Sequence, residues 1–397
     1  MRNSLAGRSR HRRELVVVSL CATVVALLVV AAAGAGAKRD PSFPAAQAKV
    51  KSILTGLEAN AGKASGIASK WPPLKNSPCL HSKAIPPGKV VVGYAYASRK
   101  NPWQVQNAIG GTWYLQNNPG VAKVYTTDGE ENPSKQISDI QSLLAKGVNV
   151  LVTNPVTTAV SPAVLQACQR GVVVVVYDRF VTFGTPFTAS MYANEVQDGY
   201  NGGQAIVNAL HGKGNVVIIP GIAGAGVTED RVAGAKMAMA KAPGIKIFGL
   251  AYSDWDAAKG RTIMEQFLTK YPKIDAVWSD SGVQAVGIIQ ALQAANRLKD
   301  IKMVVGGQLN GYLKLCVRLK VPCYGSTIST DVGILAAQMA VDIATGRYKA
   351  TANVPGPLVV IDQKSVNTFA RPDLPDSYWA TQVLPNRVLK QIFKANR

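Results

Sequence analysis

The 397-residue sequence is poor in the residues that most catalytic and metal sites need. It has three histidines, and its five cysteines include no CxxC pair, so no zinc ligand set can be assembled from spacing. His11 lies in a basic N-terminal stretch and His81 in a Pro-rich segment. His211 closes a predicted helix, where a cation favours the dipole. None stands where a Ser–His–Asp nucleophile needs its base, and no Gly-x-Ser-x-Gly follows an apolar run. The stretch "GIAGAG" (221–226) lacks the third glycine of a dinucleotide fingerprint and the lysine of a P-loop, so it reads as a strand-to-helix turn. Charged residues make up 17% of the chain, and Lys and Arg never run four together. The formal net charge of +21 is therefore a thinly spread basic surface rather than a nucleic-acid tract. These absences argue against an enzyme, a metal site, a bound cofactor and a nucleic-acid partner.

What is present begins with export. A basic stretch, "RNSLAGRSRHRR", precedes the apolar run Leu15 to Ala37, and "AGA" before Lys38 is a small-x-small cleavage site. Residues 1–37 read as a signal peptide. The run is also long enough to remain uncleaved as an anchor helix. No second stretch of 18 apolar residues follows, so the expected location is the periplasm or the outer face of the cell membrane. In that compartment the four later cysteines suggest disulfides. The seven-residue spacing in "CVRLKVPC" favours Cys316–Cys323, closed by a short turn-and-strand unit, and elimination leaves Cys79–Cys168.

Residues 38–88 read as a leader: one amphipathic helix in "AAQAKVKSILTGLEANAG", then a Pro-rich connector. From Lys89 onward apolar runs alternate with helical patterns, which fall near 103–118, 134–146, 160–170, 196–211, 228–242, 256–270, 283–296 and 331–346. Strands are predicted at 90–96, 121–127, 148–154, 172–178 and 187–195, then near 215–220, 245–252, 274–279, 302–306, 323–328 and 356–362. This alternation predicts an α/β fold of parallel sheets covered on both faces. So many strands split into two doubly wound, Rossmann-like lobes. The first takes 89–193 plus 329–357, the second 194–328 plus 358–370, and 371–397 is a tail. In such sheets ligands bind beyond the carboxyl ends of the strands. Those ends carry "ASRKNPW", "TNP", "DR", "SDWD", "SDSG" and "GGQLN". Paired polar groups with aromatic faces suit a sugar, whose hydroxyls need hydrogen bonds and whose C–H face needs cover. Asp256, after Trp255, reads as a helix N-cap rather than half of a catalytic carboxylate pair.

In order and spacing, "NPW" (101–103), "TNP" (153–155), "YDR" (177–179), "GIAGAG…EDRVAG" (221–234), "SDWDAAKG" (253–260), "VWSDSGVQAVGIIQAL" (277–292) and "VVGG" (304–307) resemble a family. It is the periplasmic sugar-binding proteins of ABC importers, of the ribose-binding type, and the likeness covers about residues 89 to 365. It implies a type I periplasmic binding protein fold whose two lobes, joined by three hinge crossings near 191–195, 326–330 and 356–360, close on one ligand. It implies ligand roles for Asn101, Trp103, Asn154, Asp178, Arg179, Arg231 and Trp255. Asp178 would accept two hydroxyls, with Arg179 holding it ionised. Asp280 or Ser281 stands where the family carries an Asn, Gln308 where ribose binders carry an acid, and Gln104 where a second aromatic is usual. The ligand is therefore a monosaccharide or similar small polar molecule, not ribose in particular. Structural roles compete: a turn-capping ion pair for Asp178–Arg179, and interface packing for either tryptophan. The expected function is a monomeric solute receptor delivering ligand to the permease of an ABC importer. The alternative is a sensor that presents it to a chemoreceptor or kinase.

Overall fold

The computed structural model describes residues 39–59, 79, 83–348 and 353–394. The expected signal or anchor segment, 1–37, lies outside them.

The first lobe starts with helix α1 (Phe43–Glu58) and alternates β1 (Val90–Tyr96), α2 (Pro102–Asn117), β2 (Val121–Asp128), α3 (Pro133–Ala145), β3 (Val150–Thr153), α4 (Ser161–Gln169), β4 (Val173–Tyr177) and β5 (Ala189–Tyr192). The second runs α5 (Glu195–Ala209), β6 (Lys213–Ile218), α6 (Gly226–Ala240), β7 (Gly244–Leu250), α7 (Ala257–Lys270), β8 (Ala276–Trp278), α8 (Gly282–Ala294), β9 (Met303–Gly306), α9 (Asn310–Leu319) and β10 (Cys323–Ile328). The chain then returns through α10 (Val332–Ala344) and β11 (Asn353–Pro355) to β12 (Leu358–Ile361), α11 (Val366–Phe369) and α12 (Asn386–Lys394). The two six-stranded sheets have matching orders, β11-β5-β4-β3-β1-β2 and β12-β10-β9-β8-β6-β7, with β12 alone antiparallel to its neighbour. Each sheet enters at an inner strand, goes to the edge and then jumps back across it, which makes a switch point.

Both faces of each sheet are covered, and the side chains alternate between two cores. In β4, Val173, Val175 and Tyr177 face the core built with α1, α2, α10 and α12, while Val174 and Val176 face the one built with α3 and α4. This explains an uninterrupted valine run: a strand with two apolar faces has no solvent side to place a polar residue on. The chain crosses between sheets at 193–194, 329–331 and 356–357, in the regions the resemblance implied. Residues 371–394 make a further passage. Trp379 and Ala380 pack in the second lobe's core, and Val383 to Phe393 in the first's. Gln106 of α2 grips this strap through both backbone groups of one residue, donating to the Trp379 carbonyl (2.8 Å) and accepting from the Trp379 N–H (2.9 Å). α1 buries Phe43, Ala46, Val50 and Leu54 against the same first-lobe core, so the leader helix is part of that lobe's packing.

Two elements differ from expectation. α9 occupies 310–319, where no helix was predicted, because its N-cap is Leu309 and offers no side-chain bond. It is held by burial instead: Tyr312 is enclosed, and its hydroxyl donates within reach of the Val304 and Tyr324 carbonyls. Cys316 on this helix bonds Cys323 at the start of β10, so the bridge closes a helix-to-strand turn; Cys79–Cys168 is the second disulfide. The short strand β11 was also not foreseen.

α5 and α6 meet without intervening side chains. A Cβ on Gly199 would stand 1.8 Å from the Arg231 carbonyl oxygen. Gly199→Ala should therefore force the helices apart and lower the unfolding free energy by about 2 kcal/mol or more. Denaturant titration reads this, and an unchanged midpoint would contradict the packing described.

Candidate functional site

Every residue expected at the site stands beyond the carboxyl end of a strand. On the first lobe, Asn101 follows β1 and spends its side-chain oxygen on the Gln104 N–H (2.9 Å), capping α2. Trp103 lies in that helix's first turn, and its indole N–H donates to the Ile328 carbonyl (3.2 Å) beside a hinge crossing. Asn154, after β3, is buried and donates from Nδ2 to Asp178 Oδ2 (2.6 Å). Asp178 leaves β4 with φ 63°, a left-handed conformation a non-glycine residue adopts only under constraint; its N–H bonds the Met191 carbonyl (3.0 Å).

The expected Asp178–Arg179 pair is not the bond that forms. Arg179 donates to Glu131 (3.1 Å) and to the Val156 carbonyl (3.2 Å), and acts on Asp178 through its field alone. Burial outweighs that field: the Asp178 carboxyl is pushed up to about 6 by desolvation, opposed by Arg179, reinforced by Glu195, and eased by Asn154 and Arg231. Glu131, at φ 57° after β2, holds the guanidinium instead and also accepts from Gln104 Nε2 (2.6 Å). Its pKa is lowered: burial raises it, and the bond and charge of Arg179 with Gln104 more than offset this.

On the second lobe, Arg231 reaches back from α6 to the first turn of α5. Its Nε donates to Glu195 Oε2 (2.5 Å) and lies 3.1 Å from Asp198 Oδ2, while Nη1 donates to the Asp280 carbonyl (3.4 Å). Arg231, Glu195, Asp198 and Asp280 are all buried. Asp198 is pushed up to about 8, by burial first and by Glu195 and Asp280, against Arg231 and the Ser326 hydroxyl. Asp280 is raised by burial and holds Trp255 Nε1 (3.2 Å) and Gln284 Nε2 (2.6 Å). Trp255, at φ 53°, lies so close over Gly221 that a Cβ there would stand 2.1 Å from its indole nitrogen. Ser281 caps α8, accepting from the Val283 N–H (3.3 Å). Gln308 is fully buried and clamps the hinge, donating to the Thr327 (3.0 Å) and Val359 (2.8 Å) carbonyls. Asp256 caps α7.

The structure therefore forms two polar clusters, Asn154 with Asp178 on the first lobe and Arg231, Trp255 and Asp280 on the second, near enough for Asp178 to feel the charge of Arg231. Asn101, Ser281 and the amide nitrogen of Gln308 serve backbone groups. Glu131, Glu195, Asp198 and Gln284 were not among the residues expected from the sequence. Glu131 lies past β2, whose end is not among the strand ends quoted from the sequence, and Glu195 and Asp198 follow directly on the expected lobe boundary at 193/194.

A likeness of sequence gives the arrangement its context. The model of the periplasmic binding protein domain matches residues 92–347. The chain belongs to the periplasmic binding protein family. It is 30% identical over 247 residues to the ribose import binding protein of Bacillus subtilis, covering 61% of this chain and 78% of that one. In fold it is similar to an ABC transporter solute-binding protein of Bacillus halodurans with bound myo-inositol: TM-score 0.64 at 20% identity, covering 71% of this chain and 98% of that one. It is also similar to the fructose-binding periplasmic domain of a hybrid two-component system: TM-score 0.60 at 26% identity, covering 71% and 93%. Among the described residues no helix is long and apolar enough to cross a membrane.

The raised Asp198 pKa carries a signed consequence. The stability tied to its protonated form is fully present below pH ~4 and is lost as pH rises through about 8. Asp198→Asn removes that slope. The wild-type melting temperature should fall relative to the variant by several °C, on the order of 4 to 8, between pH 4 and pH 8 without ligand. Parallel melting curves across that window would refute the buried, proton-binding Asp198.

Proposed function

We propose that this protein is an extracytoplasmic solute receptor that closes its two lobes on a monosaccharide or similar polyhydroxylated ligand and delivers it to the permease of an ABC importer. The observation that carries the reading is the convergence of strand-end polar groups from both lobes. Asn154 and Asp178 belong to one sheet, Arg231, Trp255 and Asp280 to the other, and Asp178 feels the charges of Glu195 and Arg231 across the hinge. A ligand touching both sets favours the closed state because only there does it gain both. The family membership and the import role named for the Bacillus subtilis relative support the same reading. A sensor role has one observation behind it, the likeness to the fructose-binding domain of a two-component system. Reconstitution separates the two, since the ligand-loaded protein would stimulate a cognate importer ATPase in the first case and a kinase in the second.

The ligand contacts are assigned to Asn154, Asp178, Trp255 and Asp280, with Trp103 and Gln308 shaping the hinge side and Arg231 supporting the second lobe. A thermal-shift screen of the mature chain against sugars and polyols should reveal a ligand that raises the melting point. Asp178→Ala should then weaken that ligand at least tenfold, about 1.4 kcal/mol, by calorimetry. Unchanged affinity would remove Asp178 from the site.

A further inference from the structure

The polar groups of this cleft are unbalanced in two independent ways. The first is charge. Asp178, Glu195, Asp198 and Asp280 surround a single guanidinium, Arg231, and feel one another's fields. Arg179 adds no spare charge, because it is committed to Glu131. The second is hydrogen bonding. Asn154 Oδ1, Gln284 Oε1 and Glu195 Oε1 are buried and have no protein partner. The amide orientations are fixed, since Asn154 Nδ2 donates to Asp178 and Gln284 Nε2 to Asp280. These three partnerless atoms are therefore all acceptor oxygens, one on the carboxylate of Glu195 and two on amides bonded to the carboxylates of Asp178 and Asp280. A buried acceptor left without a donor forfeits the hydrogen bond it would make in water.

A hydroxyl brings one donor, together with lone pairs that need donors in turn. An ammonium brings three donors, no acceptor and a positive charge, so it answers both deficits. We propose that the cleft selects a ligand carrying a protonated amine beside its hydroxyls, an amino sugar or amino polyol, with the amine between Asn154–Asp178 of the first lobe and Glu195–Asp280 of the second. This rests on the solute-receptor reading and narrows its ligand. Inorganic cations are a poorer match, as no cluster of His, Cys, Asp and Glu suited to a metal occurs among the described residues. The groups that set the local titration are Arg179, Glu195, Asn154 and Arg231 around Asp178, and Arg231, Glu195, Ser326, Asp280 and Tyr324 around Asp198. Both carboxyls hold protons at higher pH than usual, so an arriving ammonium displaces protons.

The test is calorimetry on the mature protein at pH 7 with 2-amino-2-deoxyhexoses and 1-amino-1-deoxypolyols, each paired with its neutral parent and its N-acetyl derivative. Titrations are repeated in two buffers of different ionisation enthalpy. The proposal expects the amine to bind at least tenfold tighter than parent and N-acetyl form, with net proton release. Glu195→Gln should narrow that ratio; if the variant fails to fold, the wild-type ratio and proton count still decide. A neutral parent binding as tightly as its amine, or amine binding without proton release, overturns the proposal while leaving the receptor reading intact. If neither amines nor neutral sugars and polyols bind, the receptor reading falls and this inference with it.

Discussion

A parallel sheet covered by helices on both faces has only one place for polar chemistry, the ends of its strands, and everything functional here follows from that constraint. β3, β4 and β5 are buried at every position, so no charged side chain is tolerated along their length. Asp178 and Arg179 begin where β4 stops, and Asp280, Gln308 and Trp255 begin where their own strands stop. Two such sheets of the same order, joined so that the carboxyl ends of their strands meet, make a polar seam between two largely apolar cores.

The seam is also the hinge. Trp103 on the Ile328 carbonyl and Gln308 on the Thr327 and Val359 carbonyls tie site-bearing elements to the crossing strands. The strap of residues 371–384 adds a passage, bonded to Gln106 and, through Thr381 and the Gln382 N–H, to Asp331 at the second crossing. At the base of the second lobe, the glycine contact of α5 with α6 lets Arg231 reach Glu195 and Asp198, so helix packing and site electrostatics depend on the same few residues.

The fold was legible because its cause is periodic. Valine runs, short turns and strand-end polar residues repeat often enough that eleven of the twelve strands, both lobes and the disulfide partners could be read without coordinates. α9 was not, because tertiary burial of Tyr312 replaces the capping signal that would have announced it. β11, three residues long, has no periodicity to detect. Of the candidate site, the placement of the expected residues beyond strand ends was legible and their partnerships were not. Asp178 and Arg179 are neighbours in sequence, yet the left-handed turn at Asp178 separates their side chains and sends Arg179 to Glu131, 48 residues away. Glu195 and Asp198 became visible only when the fold laid α5 against Arg231.

The central claim is that one ligand bridges the two strand-end clusters. A crystal structure of the mature protein with a ligand found by thermal shift tests it most directly. The account predicts ligand polar atoms at hydrogen-bond distance, about 3 Å, from Asn154 or Asp178 on one lobe and from Glu195 or Asp280 on the other. A ligand seated on one lobe alone, or outside the seam, would contradict it.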